Sequence, residues 1–174
     1  MLVDARDRVV GSAPKLDVHR SGMLHRAFSV FVFDAEGSLL LQQRARRKYH
    51  SGGLWTNTCC GHPRPGETTV VAARRRLREE MGIACTLEEA GSFLYRAEVG
   101  GGLVEHELDH VLVGYSRDEP VPDPLEVAGW RRVQIPEVYR EVTRVPARFT
   151  AWFTRAFEIA LRAPAVIGRA GGAS

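Results

Sequence analysis

The run Ala27-Phe28-Ser29-Val30-Phe31-Val32-Phe33 is apolar on both parities of an extended chain. Successive side chains of a strand point to opposite faces, so this run reads as a central strand covered by protein above and below. The flanking pattern supplies the cover. Asp34-Ala35-Glu36-Gly37 reads as a turn, and Ser38 to Gln43 as a returning strand. Pro63 to Gly66 reads as a loop, and Glu67 to Met81 as a helix with Val70, Ala73, Leu77 and Met81 on one stripe and Gly82 as its stop. Gly91 to Val99, Val104 to Tyr115 and Trp130 to Ile135 read as strands, and Arg148 to Arg162 as a closing helix. The expected class is α/β in its α+β form, a mixed sheet with helices packed on both sides.

The chain has 174 residues, enough for a single domain over 1–174. Its ends, about 1–14 and 163–174, mix charge, Gly, Ala and Pro and read as loose. A formal net charge of +3 is too mild to argue for nucleic acid. The cations nevertheless cluster, at Arg44, Arg46, Arg47 and Lys48 and again at Arg74, Arg75, Arg76 and Arg78. Such clusters suit an anionic ligand and equally a solvated face. Three cysteines, two of them adjacent, make a poor disulfide framework and fit a reducing cytoplasm. No signal-like segment and no membrane-length apolar run is present, so neither a membrane nor a nucleic-acid partner is expected. A monomer or weak homodimer is expected.

The candidate chemistry rests on a few residue types. His19 and His25 precede the central strand, and His62 follows the cysteine pair. Glu105 and Glu107 are two apart in a strand, so both carboxylates share a face. Three imidazoles and two carboxylates suit Mg²⁺, Mn²⁺ or Zn²⁺ better than a thiolate-rich zinc site does. Cys60 stands two residues from His62, so in extended backbone the two share a face and the thiol could serve as acid or base. Taken alone it fits a small buried hydrophobe as well. Glu79 and Glu80 lie in the last turn of the helix, where the macrodipole disfavours acids by roughly 0.3–1 kcal/mol. Arg76 and Glu80 are four apart and share a helix face, so one can hold a phosphate oxygen while the other holds a cation bridging to it.

Gly61, Glu67 and the stretch Arg75-Arg76-Leu77-Arg78-Glu79-Glu80-Met81-Gly82-Ile83 resemble the Nudix box, a loop-helix-loop that binds diphosphates through metal-bound glutamates. Hydrolases of that superfamily carry Glu where this chain has Arg76, so the resemblance implies holding a diphosphate rather than cleaving it. Trp55-Thr56-Asn57-Thr58-Cys59-Cys60-Gly61-His62-Pro63, His25-Arg26-Ala27-Phe28-Ser29 and Glu105-His106-Glu107 are similar to the type I isopentenyl-diphosphate isomerases over about Lys15 to Phe157. That resemblance implies a Nudix-like fold and metal-dependent isomerisation of isopentenyl to dimethylallyl diphosphate. It makes His19, His25, His62, Glu105 and Glu107 ligands of a first divalent metal, and gives Glu80 a Mg²⁺ that arrives with the diphosphate. It assigns Cys60 and Glu107 as the proton-transfer pair, with Glu107 rather than Glu105 as the acid. Lys15, Arg44, Lys48 and Arg76 become diphosphate cations, Tyr95 the residue that orients the acid, and Trp152 the ring over the hydrocarbon. The segment from His19 to His25 is one residue shorter than the family pattern. It motivates an alternative, a relative that protonates or cyclises a different prenyl diphosphate. A Nudix pyrophosphohydrolase ranks below both because of Arg76.

Overall fold

The computed structural model describes residues 1–164 and 166. In chain order the elements are β1 (Leu2–Val3), β2 (Val9–Gly11), α1 (Lys15–Ser21), β3 (His25–Phe33), β4 (Ser38–Arg44), β5 (Trp55–Thr56), β6 (Cys59–Gly61), α2 (Thr69–Met81), β7 (Leu87–Glu98), β8 (Val104–Tyr115), β9 (Val127–Gln134), α3 (Ile135–Arg144), a 3₁₀ turn (Pro146–Arg148) and α4 (Phe153–Leu161).

The doubly apolar run is the centre of the sheet, as its pattern demands. One edge of β3 pairs in parallel with β8 from His25↔Glu107 to Phe33↔Tyr115. The other edge is shared in succession by β1 at His25, β6 at Phe28 to Val30 and β4 at Phe33. Where β4 parts from β3, Thr58 fills the gap. Its hydroxyl accepts from Val32 N–H at 2.9 Å and donates to the Leu40 carbonyl at 2.6 Å. Buried backbone groups thus keep partners although the ladder is broken.

The two parities of β3 go to two different cores. Phe28, Val30 and Val32 pack with Leu40, Cys59, Ala73, Leu77 and Met81, which is the buried face of α2. Phe31 and Phe33 pack with Leu39, Leu41, Phe153 and Phe157, which brings in α4. Phe31 and Phe157 stack at 6.2 Å between ring centroids. Each fully buried side chain of this size contributes about 1.5–3 kcal/mol. The expected mixed sheet with helices on both sides is what forms.

Several boundaries differ from the sequence reading. Helix α2 starts at Thr69 rather than Glu67, because Thr68 is its N-cap and accepts from Val71 N–H at 3.3 Å. The closing helix starts at Phe153 rather than Arg148, because Thr150 N–H is bonded to the Trp55 carbonyl and Phe149 bridges Trp55. Helices α1 and α3 were not expected, and β7 begins at Leu87, four residues early. The N-terminal residues are not loose. Val3 is buried, β1 pairs with β2 and β3, and Asp7 accepts from Arg26 Nε at 2.7 Å. The expected frayed tail at 163–174 falls, from 167 onward and at 165, outside the described residues. Among the described residues no helix is long and apolar enough to cross a membrane.

Candidate active site

The face of β8 that begins as core ends as a site. Val113 and Val111 pack in the α4-side core, and the same parity continues through Asp109, Glu107 and Glu105. The parallel register sets His25 beside Glu107, and the antiparallel register of β7 sets Tyr95 beside the same residue. On the opposite edge of β3, β6 sets Cys60 opposite Ser29 and Cys59 opposite Val30. The two cysteines therefore go to opposite faces. Cys59 is fully buried against α2, while Cys60 turns to the site. Glu107 and Cys60 thus flank β3 from its two sides.

His19, His25, His62 and Glu107 each bring one donor atom within 4.8 Å of all the others. His25 Nε2 lies 3.2 Å and His62 Nε2 3.0 Å from Glu107 Oε1, with His19 Nε2 at 3.8 Å. His25 Nδ1 is 2.9 Å from the Met23 carbonyl, which only accepts, so Nδ1 carries the proton and Nε2 presents its lone pair. His19 Nε2 is buried with no hydrogen-bond partner. Burial, followed by the charge of Lys15, pushes His62 down to about 3, which keeps it neutral. Converging imidazole nitrogens around one carboxylate, one of them otherwise orphaned, fit a divalent cation. The short segment before His25 does not take His19 off this cluster. Gly22, at φ +62°, caps α1 and turns the chain straight toward β3.

Glu105 lies beside the cluster rather than in it. Its carboxylate faces His50 Nε2 at 3.3 Å and receives the Tyr95 hydroxyl at 3.2 Å. The same hydroxyl donates to Glu107 Oε2 at 2.5 Å. Burial, and then the Glu107 charge, raises Glu105 to about 8. Burial alone would raise Glu107 too, but its contacts with His19, His25 and His62 outweigh burial and hold Glu107 well below the usual carboxylate range. Burial raises the Cys60 thiol to about 11, against the opposing pull of Arg44, whose Nη1 lies 3.5 Å from Sγ. At neutral pH the site therefore pairs an ionised Glu107 with a protonated Cys60.

These groups open on a cavity of about 260 Å³, which Lys15, Arg44, Lys48 and Arg76 also line. All four expected diphosphate cations are thus brought to one place. Arg44 stacks over the Trp152 ring at 5.5 Å, and Trp152 is pinned by its Nε1–H to Asn57 Oδ1 at 3.0 Å. Glu80 is not with the histidines. It is buried at the end of α2, bonded to Arg76 and receiving Gln42 Nε2 at 3.3 Å. The sequence reading missed Tyr49, whose hydroxyl is 2.9 Å from His19 Nδ1, and His50, which lies edge-on to Trp152 at 6.5 Å. Lys48-Tyr49-His50 has no ligand-like spacing, so only the fold reveals them.

Comparison with known proteins identifies the family. A NUDIX domain model matches residues 23–153. The isopentenyl-diphosphate Delta-isomerase of Serratia proteamaculans is 54% identical over 153 residues, covering 88% of this chain and 86% of that protein. The protein of the same name from Nocardia farcinica is 51% identical, covering 91% and 92%. A Deinococcus radiodurans crystal structure aligns with TM-score 0.70 at 22% identity, covering 91% of this chain and 94% of that one, a likeness of fold alone. The chain belongs to the Nudix family and, within it, to the isopentenyl-diphosphate Delta-isomerases.

Proposed function

We propose that the chain isomerises isopentenyl diphosphate to dimethylallyl diphosphate by protonation and deprotonation. The observation that carries this is the pairing of Cys60 and Tyr95–Glu107 across β3 beside a cavity that Lys15, Arg44, Lys48 and Arg76 also line. The terminal alkene carbon gains a proton from the Glu107–Tyr95 side, which leaves a tertiary carbocation. A proton on the neighbouring methylene then passes to Cys60, and its C–H electron pair forms the new double bond. One proton enters and one leaves, so the pair needs a single transferable proton. The Trp152 ring supplies a π face for the cationic intermediate, a desolvated contact worth about 2 kcal/mol or more. Lys15, Arg44, Lys48 and Arg76 hold the diphosphate, which does not react and contributes remote binding energy.

His19, His25, His62 and Glu107 would hold a divalent ion, Mn²⁺, Mg²⁺ or Zn²⁺, with Glu105 supporting them through Tyr95. When bound, that ion would withdraw charge from the Glu107 carboxyl and make it a stronger acid. Glu80 serves the Mg²⁺ that accompanies the diphosphate. A forward turnover leaves Glu107 ionised and the proton on Cys60, so a proton must return to the Glu107 side before the next.

The test is incubation in D₂O with isopentenyl diphosphate, with and without chelator. Deuterium should enter both isomers only with metal present, and Cys60→Ala should lose about 10²–10⁴ in rate with its fold intact. Metal-loaded, folded protein that exchanges no deuterium refutes the reading.

A further inference from the structure

His19 is the candidate ligand with the least support from its own element. Helix α1 has seven residues, and its N-cap Pro14 makes no side-chain cap bond. A helix so short does not hold its shape alone. His19 is nevertheless fully buried, with Nε2 directed at Glu107. Tyr49, from the loop between β4 and β5, meets it there. Tyr49 Oη lies 2.9 Å from His19 Nδ1, and the two rings are 5.6 Å apart. The same ring carries Lys15 Nζ 5.0 Å from its centroid. Lys15 and His19 are four residues apart on one face of α1, so Tyr49 spans both. Tyr49 is 44% exposed as a residue, so it sits at the rim of the site rather than in the core.

We infer that Tyr49 is a positioning residue that seats Lys15 on its ring and fixes His19 in the tautomer able to bind a divalent cation. The inference rests on the metal reading above. The contact between Nδ1 and Oη has two proton arrangements. When the phenol donates to Nδ1, the neutral imidazole carries its proton on Nε2 and cannot ligate. When Nδ1–H donates to Oη, Nε2 presents its lone pair to Glu107 and the other histidines. Cation binding selects the second arrangement, and Oη is the acceptor that stabilises it. Losing such an outer partner costs about 10–100-fold in metal affinity.

The test is titration of the chelator-treated full chain with Mn²⁺, following the electron paramagnetic resonance signal of free Mn²⁺. Tyr49→Phe keeps the ring beneath Lys15 and removes only the oxygen. Its Mn²⁺ Kd should rise about 10–100-fold, and activity should recover as Mn²⁺ is raised. Tyr49→Leu removes the ring as well, and should add a rise in KM for isopentenyl diphosphate. Because the phenol acts through His19, Tyr49→Phe placed on His19→Gln should cost less than about twofold more affinity. Tyr49→His is the rescue variant, since it returns a hydrogen-bonding nitrogen, and it should recover part of the loss even if Tyr49→Phe folds poorly. Undiminished affinity in Tyr49→Phe overturns the inference alone, as does a full further loss on His19→Gln. A wild-type chain that binds no Mn²⁺ overturns the metal reading and the inference with it.

Discussion

Asn57→Ala should be among the most damaging single changes outside the apolar core. Asn57 is fully buried and makes four hydrogen bonds. Its Oδ1 accepts from Thr56 Oγ1 at 2.8 Å and from Trp152 Nε1 at 3.0 Å. Its Nδ2 donates to the Val30 carbonyl at 3.2 Å and the Cys59 carbonyl at 2.6 Å. The amide therefore joins β3, β6 and the Trp152 segment at one point. Truncation strands at least the Trp152 N–H and the Cys59 carbonyl, each at about 1–3 kcal/mol, and leaves a hole. A loss near ~4 kcal/mol corresponds to a fall of about 8–16 °C in Tm for a domain of this size. Asn57→Asp keeps the acceptor for Trp152 but sets an oxygen against two carbonyl oxygens, so its loss should be at least as large. Calorimetric melts of the three proteins test this. A fall below about 3 °C in Asn57→Ala would refute the claim that the network holds Trp152 in place.

Metal removal should lower Tm, because an ion that binds only the folded chain stabilises it by mass action, about 2.7 kcal/mol at a hundredfold excess over Kd; identical melts with Mn²⁺ and with chelator would count against the His/Glu site. Inorganic pyrophosphate should bind more than about tenfold tighter with Mg²⁺ present, and Glu80→Gln should remove most of that advantage, as read by calorimetry in matched buffers. Glu67 is held down to about 2, first by the hydrogen bond from Arg75, so its contribution is present above its ordinary value of 4.5 and is lost as pH falls toward about 2. The Tm gap between wild type and Glu67→Gln should therefore be open at pH 6 and close between about pH 4.5 and 2; a gap constant with pH would contradict the pairing.

What the sequence discloses about this fold depends on how locally each feature is encoded. The two-faced run at β3 and the stripe of α2 are local periodicities, and both elements formed where they were read, each with its start displaced by two residues. Helix α3 carries a short stripe of its own, Val138 and Val142, but Pro136 at its first turn follows the strand without a loop and hides the change of period. The misplaced start of α4 is a tertiary effect, since the Trp55 carbonyl claims Thr150 N–H. Motif residues came together because the registers of β3 with β6 and β8, and of β8 with β7, converge on one face. No pattern could separate Glu105 from Glu107. They share a face, and only the histidines packed from α1, β3 and the segment after β6 select Glu107 as the point of convergence.

The replacement of a box glutamate by Arg76 reshapes the end of α2 beyond adding one positive charge. Its guanidinium meets Glu79 Oε2 at 2.7 Å and Glu126 Oε1 at 3.0 Å, and also binds Glu80. Lys48 also pairs with Glu126. Two of the four cavity cations are thus already matched by three carboxylates. A diphosphate arriving alone would exchange one set of charge-assisted bonds for another and leave carboxylates facing it. Glu80 is 2% exposed, so it cannot relieve that repulsion by turning to water. On the proposed function, a cation that arrives with the anion would resolve the conflict, because it would give Glu80 a partner when Arg76 turns to phosphate. On this argument Arg76 and Glu80 act as an exchangeable pair, closed on each other in the free chain and opened together by a cation-bound diphosphate. In the proposed reaction the reacting carbons would then lie on the Cys60 and Glu107 side of the cavity, away from the phosphates, as an isomerase that leaves its diphosphate intact requires.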